Sequence, residues 1–440
     1  MANPINKFLN NPRVDRALSL ARDGVASAVR VTQTTTVVAG VGLEWVRGDR
    51  KPVPKMLRQT FERLGATYIK LGQFIASSPS LFPIEYVREF EGCLDSVSAL
   101  PWDVIEKTLE KELNRPLDEV YSFIDKEPLA SASIAQVHAA RLVTGEDVVI
   151  KVQKPGVQNI LLTDFNFLYV ATRLLEKIAP AFSRTSLGDI VGDIQATMLE
   201  ECDFLKEASN IEMFAEFLRN SNNQMCCVPE LYKEFCTPKV LTMERFYGVP
   251  LTDLESIKKY SKNPEFTLIS ALNTWFSSLT ECQFFHADLH AGNLMVLTDG
   301  RVGFIDFGIV GHIRKETWGA LVRFIEAQQT MDYQVMADSM VTIGATDRDV
   351  DTRQLAADLR RVVSSLDGME PQNMLDGFVD ESQINELMFS IIETGKKYGI
   401  KFPREFALLV KQFLYFDRYV ELMAPDMEMF GDDRINLMGI

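Results

Sequence analysis

The chain has 440 residues, 46% hydrophobic and 24% charged, with a formal net charge of −15 at pH 7. That length supports two lobes, each with its own core, and the composition excludes a disordered tail or a membrane bundle. The acidic balance disfavours a nucleic-acid partner, because phosphate neutralisation needs a Lys/Arg excess, and it disfavours broad adhesion to anionic lipid.

In chain order, residues 1–50 read as a mixed polar lead-in, weakly amphipathic over 14–31. Lys51-Pro-Val-Pro follows as a linker or helix start. From Met56 to about Ile124 the apolar residues Leu57, Phe61, Leu64, Tyr68, Leu71 and Ile75 fall at helical spacing, and Pro79, Pro83 and Pro101 divide the region into several helices. The period changes at Pro128, where "SIAQVHAARLVTGEDVVIKVQ" predicts two strands joined by a Gly-containing turn. Helices are predicted from about Val157 to Ala179 and from Asp189 to Arg219, then a short strand in "PKVLTMERF". After Pro264 the pattern is helical again except at 284–308, where "LMVLTDGRVGFID" predicts a hairpin with a type I′ turn at Asp299-Gly300. Helices dominate from His312 onward.

The expected class is α+β, organised as a lead-in (1–50), a helical extension (51–125), a strand-rich lobe with inserted helices (126–247) and a larger helical lobe (248–440). No segment reaches the roughly 20 uninterrupted apolar residues of a spanning helix. The six cysteines (Cys93, Cys202, Cys226, Cys227, Cys236, Cys282) form no CxxC pair, and no signal peptide opens the chain. A reducing, cytoplasmic compartment is expected, with at most peripheral membrane contact through the 14–31 stretch.

Phosphate and Mg²⁺ chemistry is concentrated in "FFHADLHAGNLMVLTDGRVGFIDFG", residues 284–308. Phosphoryl transfer needs metal ions and phosphates held in place more than covalent help from the protein. His286-Ala-Asp288-Leu-His-Ala-Gly-Asn293 fits the catalytic-loop pattern H-x-D-L-x-x-x-N of kinases. Asp288 would orient or deprotonate the attacking hydroxyl or water, and Asn293 would hold Mg²⁺ through its amide oxygen. Asp306, in D-F-G, supplies a carboxylate suited to a Mg²⁺ that bridges phosphates.

Upstream, "VVIK" ends a predicted strand at Lys151, the position that contacts the α- and β-phosphates. Such a Lys needs an acid to orient it. "EECDFLKEASN" offers Glu200, Glu201, Asp203 and Glu207, the last two expected on one helix face, and leaves the choice between Glu207 and Glu201/Asp203 open. "VLTMERF" fits the connection between lobes, with Met243 near an adenine and Glu244 to Phe246 lending backbone groups. The cofactors expected are ATP or ADP with Mg²⁺. Two features depart from an ordinary kinase. The loop before the Lys strand, Ala130-Ser131-Ala132-Ser133, contains no glycine, although glycine alone has free access to positive φ. No A-P-E follows D-F-G, so no long activation segment is expected.

Lys70-Leu-Gly72-Gln73 in the helical extension, the Ala-rich loop, Glu201-x-Asp203 and the D-F-G together resemble the UbiB (AarF-like) family of atypical protein-kinase-like proteins, over about residues 50–425. The resemblance implies a two-lobed kinase-like fold whose K-x-G-Q helices lie over the active site. It implies nucleotide binding with Mg²⁺, ATPase or unorthodox kinase activity, and a link to ubiquinone or other isoprenoid-lipid metabolism and its proteins. Lys70 and Gln73 would then be regulatory, with Glu201 and Asp203 as docking partners that bring the helices over a peptide-binding cleft. Many relatives end in transmembrane helices, which this pattern lacks, and the loop reads A-S-A-S-I-A-Q against the commoner A-A-A-S-I-G-Q.

Other readings compete. His286 and His290 at i, i+4 have metal-ligand spacing, but no third ligand accompanies them, and His286 is better placed as a brace for the catalytic loop. The helix from Phe406 to Met423 reads as core packing. A catalytically silent nucleotide-sensing module that chaperones a lipid or a partner is the alternative to an enzyme. The intact set Lys151, Asp288, Asn293 and Asp306 favours the enzyme.

Overall fold

A computed structural model describes residues 52–65, 99–178, 187–282, 284–366 and 390–437, with gaps of one or two residues, and a handful of residues outside these spans. Lys70 and Gln73 lie outside the described residues, as do most of 1–51 and Cys93.

One antiparallel sheet is built in the order β1 (Tyr121–Ser131), β2 (Ala135–Leu142), β3 (Asp147–Gln153) and β5 (Val240–Glu244). The β2–β3 hairpin matches its predicted limits closely, and Gly145 turns it at φ 109. β1 differs from expectation. Strand pairing begins at Tyr121 opposite Leu142, within what reads as the helical extension, and runs through Pro128 with register shifts. An edge strand tolerates this, since a proline there removes no ladder bond the sheet requires.

Helix α1 (Val53–Leu64) ends at Gly65, whose φ of 95 takes the chain out of the helix. Phe61 then packs edge-on against Tyr68 and Phe90, with centroids 5.6 and 5.1 Å apart. Helix α2 (Trp102–Leu113), within the segment expected as a helical extension, packs onto the first sheet. Its buried face, Ile105, Leu109 and Leu113, packs with Val148, Ile150, Val152 and Val240 of the sheet. Gln136, fully buried on β2, bonds the Leu100 backbone ahead of this helix.

Three helices separate β3 from β5: α3 (Val157–Ile178), α4 (Leu187–Glu200) and α5 (Phe204–Asn220). The single helix expected over 189–219 is broken at 201–203. Asp203 is the cause: its φ of −117 is extended, and its carboxylate accepts from the Leu205 N–H as the N-cap of α5. Asp203 and Glu207 therefore do not share a helix face.

The second sheet runs β4 (Cys226–Cys227), β9 (Val302–Phe304), β8 (Leu294–Leu297), β6 (Gly248–Pro250). β4 pairs parallel with β9 although it precedes the segment expected to begin the large lobe at 248. Residues 245–247 carry the chain from one sheet to the other. The β8–β9 hairpin lies where expected, but its turn is not type I′. The Gly300 N–H donates to the Leu297 carbonyl, so Thr298 and Asp299 are the central residues and Gly300, at φ 87, takes the left-handed place after them. This is the three-residue loop with a terminal glycine.

The large lobe adds α6 (Leu254–Tyr260), α7 (Pro264–Glu281), α8 (Lys315–Gln329), α9 (Tyr333–Ile343), α10 (Thr352–Leu366) and α11 (Arg404–Met423), with a short pair β7 (Phe285–His286) and β10 (Val310–Gly311). Only three residues separate β10 from α8. Between α7 and α11, Trp275 packs edge-to-face against Phe413 and Phe416, and Phe276 lies tilted against Phe413. Among the described residues, no helix is long and apolar enough to cross a membrane. The architecture is a two-lobed mixed fold of the protein-kinase type.

Leu109 is fully buried against the first sheet. Leu109→Ala is therefore expected to cost about 2–5 kcal/mol in urea unfolding. A near-neutral effect would return α2 to a detached extension.

Candidate active site

The site forms where β3, α5 and the two loops of the second sheet converge. Lys151, on a strand buried on both faces, is 8% exposed. Its Nζ donates to Glu207 Oε1 and Oε2 at 2.8 and 2.9 Å and to Asp306 Oδ1 at 3.0 Å, and lies 5.3 Å from the Phe204 ring. Of the candidate acids, Glu207 is the one whose carboxylate bonds Lys151. Asp203 caps α5, and Glu201 reaches the site through its field at Glu207 and Lys411.

Burial alone would lower the Lys151 pKa, but the carboxylates of Asp306 and Glu207 outweigh it and hold the ammonium charged. Burial pushes Glu207 up to about 7, against the pull of Lys151 and with a further push from Asp306. The three groups form one buried electrostatic unit with a partly exposed end, since the Asp306 side chain is 46% exposed.

Helix α5 holds the D-F-G segment at two further points. Asn210 Nδ2 donates to the Phe307 carbonyl at 3.0 Å. Phe214 packs against Phe307, Phe304 and Phe284 at centroid distances of 5.1, 5.4 and 6.3 Å. Asp306 itself sits at φ 59, a left-handed conformation that Asp tolerates better than most side chains. A Cβ at Gly308 would meet Asp306 Oδ1 at 3.2 Å, so a side chain there would displace the carboxylate by a few tenths of an ångström.

The Asp288 loop is braced from below. His286 is fully buried; its Nε2 meets the Ile305 carbonyl at 3.0 Å and its Nδ1 accepts the Asp288 N–H at 3.2 Å. Burial lowers its pKa, and with both nitrogens committed it is no zinc ligand, which removes that reading. Asn293 Nδ2 donates to the Asp288 carbonyl at 2.8 Å, which directs its amide oxygen away from the loop.

Sequence reasoning placed α11 but read it as core packing, and missed its part in the site. Lys411 Nζ donates to Asp288 Oδ1 at 2.8 Å and stands 5.6 Å from the Tyr415 ring. Gln412, fully buried, accepts from the Leu289 N–H at 2.8 Å and donates to the Ala287 carbonyl at 2.7 Å. The Tyr419 hydroxyl donates to the Leu289 carbonyl at 2.8 Å. Asp288, with Tyr415 and Glu201, raises the Lys411 pKa against the burial that opposes it. The signal was present: Leu408, Lys411, Gln412, Tyr415 and Tyr419 share one helical face, so two polar residues fell on a stripe otherwise read as core.

The glycine-free loop closes without strain. Ala130 and Ser131 still belong to β1, and the turn is made by the Ala132 N–H donating to the Ala135 carbonyl at 2.9 Å. None of residues 130–135 has positive φ, so no glycine is required. The Ser131 and Ser133 hydroxyls are buried without a hydrogen-bond partner among the described residues. Buried hydroxyls normally have partners, and two orphaned donors beside the Lys strand fit phosphate oxygens. Asn293 and Asp306 offer one amide and one carboxylate oxygen, a donor set matching Mg²⁺, which takes one or two carboxylates and completes its shell with phosphates and water.

At the connection, Met243 is buried opposite Val149. The Glu244 and Arg245 N–H groups already donate to the Glu230 and Asp147 carbonyls at 2.8 and 3.1 Å. Fewer of the expected backbone donors are thus left for a base. Phe246 lies over Gly303, where a Cβ would meet its ring at 2.7 Å. Burial pushes the Cys226 and Cys227 thiols up to about 12 and about 11, which makes both inert at neutral pH.

A strand lysine bound to a helix glutamate and to the D-F-G aspartate, between two lobes, is the arrangement of a kinase-like protein. The family model described as the ABC1 atypical kinase-like domain matches residues 92–340. An aarF domain-containing protein kinase of Arabidopsis thaliana, named uncharacterized and chloroplastic, is 47% identical, covering 94% of this chain and 83% of its own. A Mycobacterium tuberculosis protein named only as uncharacterized is 35% identical over 91% of this chain and 81% of its own. A probable protein kinase UbiB of Pseudomonas aeruginosa is 29% identical over 88% and 71%. Among solved structures, a Mycobacterium tuberculosis protein in complex with erythromycin superposes with a TM-score of 0.52 at 22% identity, covering 93% of this chain and 99% of that one, a likeness of fold alone. The chain belongs to the ABC1 atypical kinase-like family, which includes the aarF and UbiB proteins.

Lys151→Met strands the buried Glu207 carboxylate and is expected to cost about 3–5 kcal/mol in chemical unfolding. Lys151→Met/Glu207→Leu, which removes both charges, should recover most of that loss. Equal losses in the two variants would contradict the ion-pair account.

Proposed function

We propose that this protein is an ATP- and Mg²⁺-binding atypical kinase-like enzyme, an ATPase or a phosphotransferase acting on a small molecule or lipid, in support of ubiquinone or other isoprenoid-lipid metabolism. The observation that carries this reading is the preassembled contact of Lys151 with Glu207 and Asp306. Lys151, oriented by Glu207, binds the α- and β-phosphates, and the Ser131 and Ser133 hydroxyls donate to phosphate oxygens. Met243 and the 244–246 backbone flank the base. Asn293 and Asp306 hold Mg²⁺, which supplies charge neutralisation at the phosphates.

Asp288 accepts the proton of the attacking hydroxyl or water. As that oxygen bonds to the γ-phosphorus, the bond from phosphorus to the bridging oxygen breaks and ADP leaves with the electron pair. The short passage from D-F-G into α8 removes the usual platform for a peptide. Leu71, beside Lys70, packs against the main core, which supports reading the segment that carries Lys70 as a cover. Lys70 and Gln73 are read as its regulatory residues, with Glu201 as partner and Asp203 limited by its capping bond. The link to quinones rests on the resemblance to the UbiB family, whose name the Pseudomonas relative carries. Isoprenoid-lipid or quinone-biosynthesis proteins are the partners this reading favours, met in the cytoplasm or peripherally at a membrane.

Purified protein is expected to hydrolyse ATP slowly, with Asp288→Ala abolishing turnover, and to leave generic protein substrates unphosphorylated. Asp306→Asn should eliminate thermal stabilisation by MgATP and MgADP. Turnover independent of Asp288, or unchanged stabilisation in Asp306→Asn, would overturn the assignment. In cell fractions the protein should be released by carbonate and high-salt washing; retention would contradict peripheral placement.

A further inference from the structure

We propose that Lys411 is a positioning residue for phosphoryl transfer, fixing the Asp288 carboxylate from a helix outside the matched family domain. The proposal rests on the phosphoryl-transfer reading above. Lys411 lies on α11, more than sixty residues beyond the end of the domain match at 340.

Three observations carry it. The first is the contact itself: a lysine whose side chain is 18% exposed donates to Asp288 Oδ1 at 2.8 Å. A long cationic side chain confined beside one carboxylate has lost rotamer freedom that a solvated lysine keeps, so the pair needs a compensating purpose or strong packing.

The second is that α11 grips the loop on both sides of Asp288. Gln412 bonds Ala287 and Leu289, and Tyr419 bonds Leu289. With the flanking backbone anchored, the remaining freedom at Asp288 is its side-chain rotamer, and Lys411 is placed to set it. The third concerns the loop's own basic side chain. His290, two residues after Asp288, turns its Nδ1 to the Gly292 N–H at 3.0 Å, and its Nε2 stands 3.8 Å from Asp288 Oδ2, beyond hydrogen-bond distance. Among the described residues, Lys411 of α11 brings an ammonium to hydrogen-bond distance from Asp288.

Positioning of a reacting group matters steeply, since a displacement of about 1 Å can lower a rate about 100-fold. Lys411→Met is therefore expected to lower kcat for ATP turnover by about 100-fold while KM for ATP and affinity for MgADP stay at wild-type values. Lys411→Arg, which keeps the cation, should restore part of kcat, and in an Asp288→Asn background Lys411→Met should remove nothing more. Lys411→Gln, which keeps a donor, gives the same split in kcat against MgADP affinity should the methionine variant not fold. Wild-type kcat in these neutral variants would overturn the proposal. Parallel loss of kcat and MgADP affinity without rescue by arginine would also overturn it, as a structural role. Wild-type turnover indifferent to Asp288→Asn would instead bring down the phosphoryl-transfer reading beneath it.

Discussion

The ion cluster of Lys151, Glu207 and Asp306 is the constraint on which the rest of the architecture depends. Removing three charged groups from bulk water is unfavourable unless they satisfy one another, and here one ammonium serves two carboxylates within 3.0 Å. Each member comes from a different part of the fold: a strand of the first sheet, the helix behind it, and the loop after the second sheet. The cluster therefore specifies how the lobes meet. The Asn210 bond to Phe307 and the aromatic contacts of Phe214 reinforce the same junction with packing.

The opposite wall of the cleft is organised by a different device. The Asp288 loop is held by its own His286 and Asn293, and α11 adds bonds at three successive residues, Ala287, Asp288 and Leu289. Trp275 on α7 adds a bond from its indole N–H to the His286 carbonyl at 2.9 Å. A polar loop held by buried, fully bonded side chains is rigid because each alternative conformation leaves donors or acceptors unpaired. Rigidity on this side and charge pairing on the other leave a cleft with two partly exposed acids, Asp288 and Asp306.

Much of this was legible in the sequence where local chemistry dictates structure. The β2–β3 hairpin, the position of Lys151 at its end, and the loop from His286 to Gly308 follow from residue type and spacing. The misreadings have particular causes. Helical spacing to about Ile124 and the proline at 128 conceal the edge strand Tyr121–Ser131, and the helical pattern over 189–219 runs across an Asp203 that caps instead. The Asp299-Gly300 pair suggested a two-residue turn, whereas the pairing of Leu297 with Arg301 sets a longer one. Lys411 and Gln412 lay on an apolar stripe, and only the tertiary contact reveals that their polar ends meet the loop. The glycine-free loop shows the reverse case, an apparent defect resolved by backbone angles that never enter the left-handed region.

The account stands most directly on where a metal–nucleotide complex sits. Crystals grown with ADP and Mn²⁺ in place of Mg²⁺ would locate the metal by its anomalous scattering. The account predicts one peak between the Asn293 amide oxygen and the Asp306 carboxylate, with the nucleotide phosphates beside Lys151 and the Ser131–Ser133 loop. A nucleotide bound with no metal at Asn293 and Asp306, or a metal peak elsewhere, would contradict it.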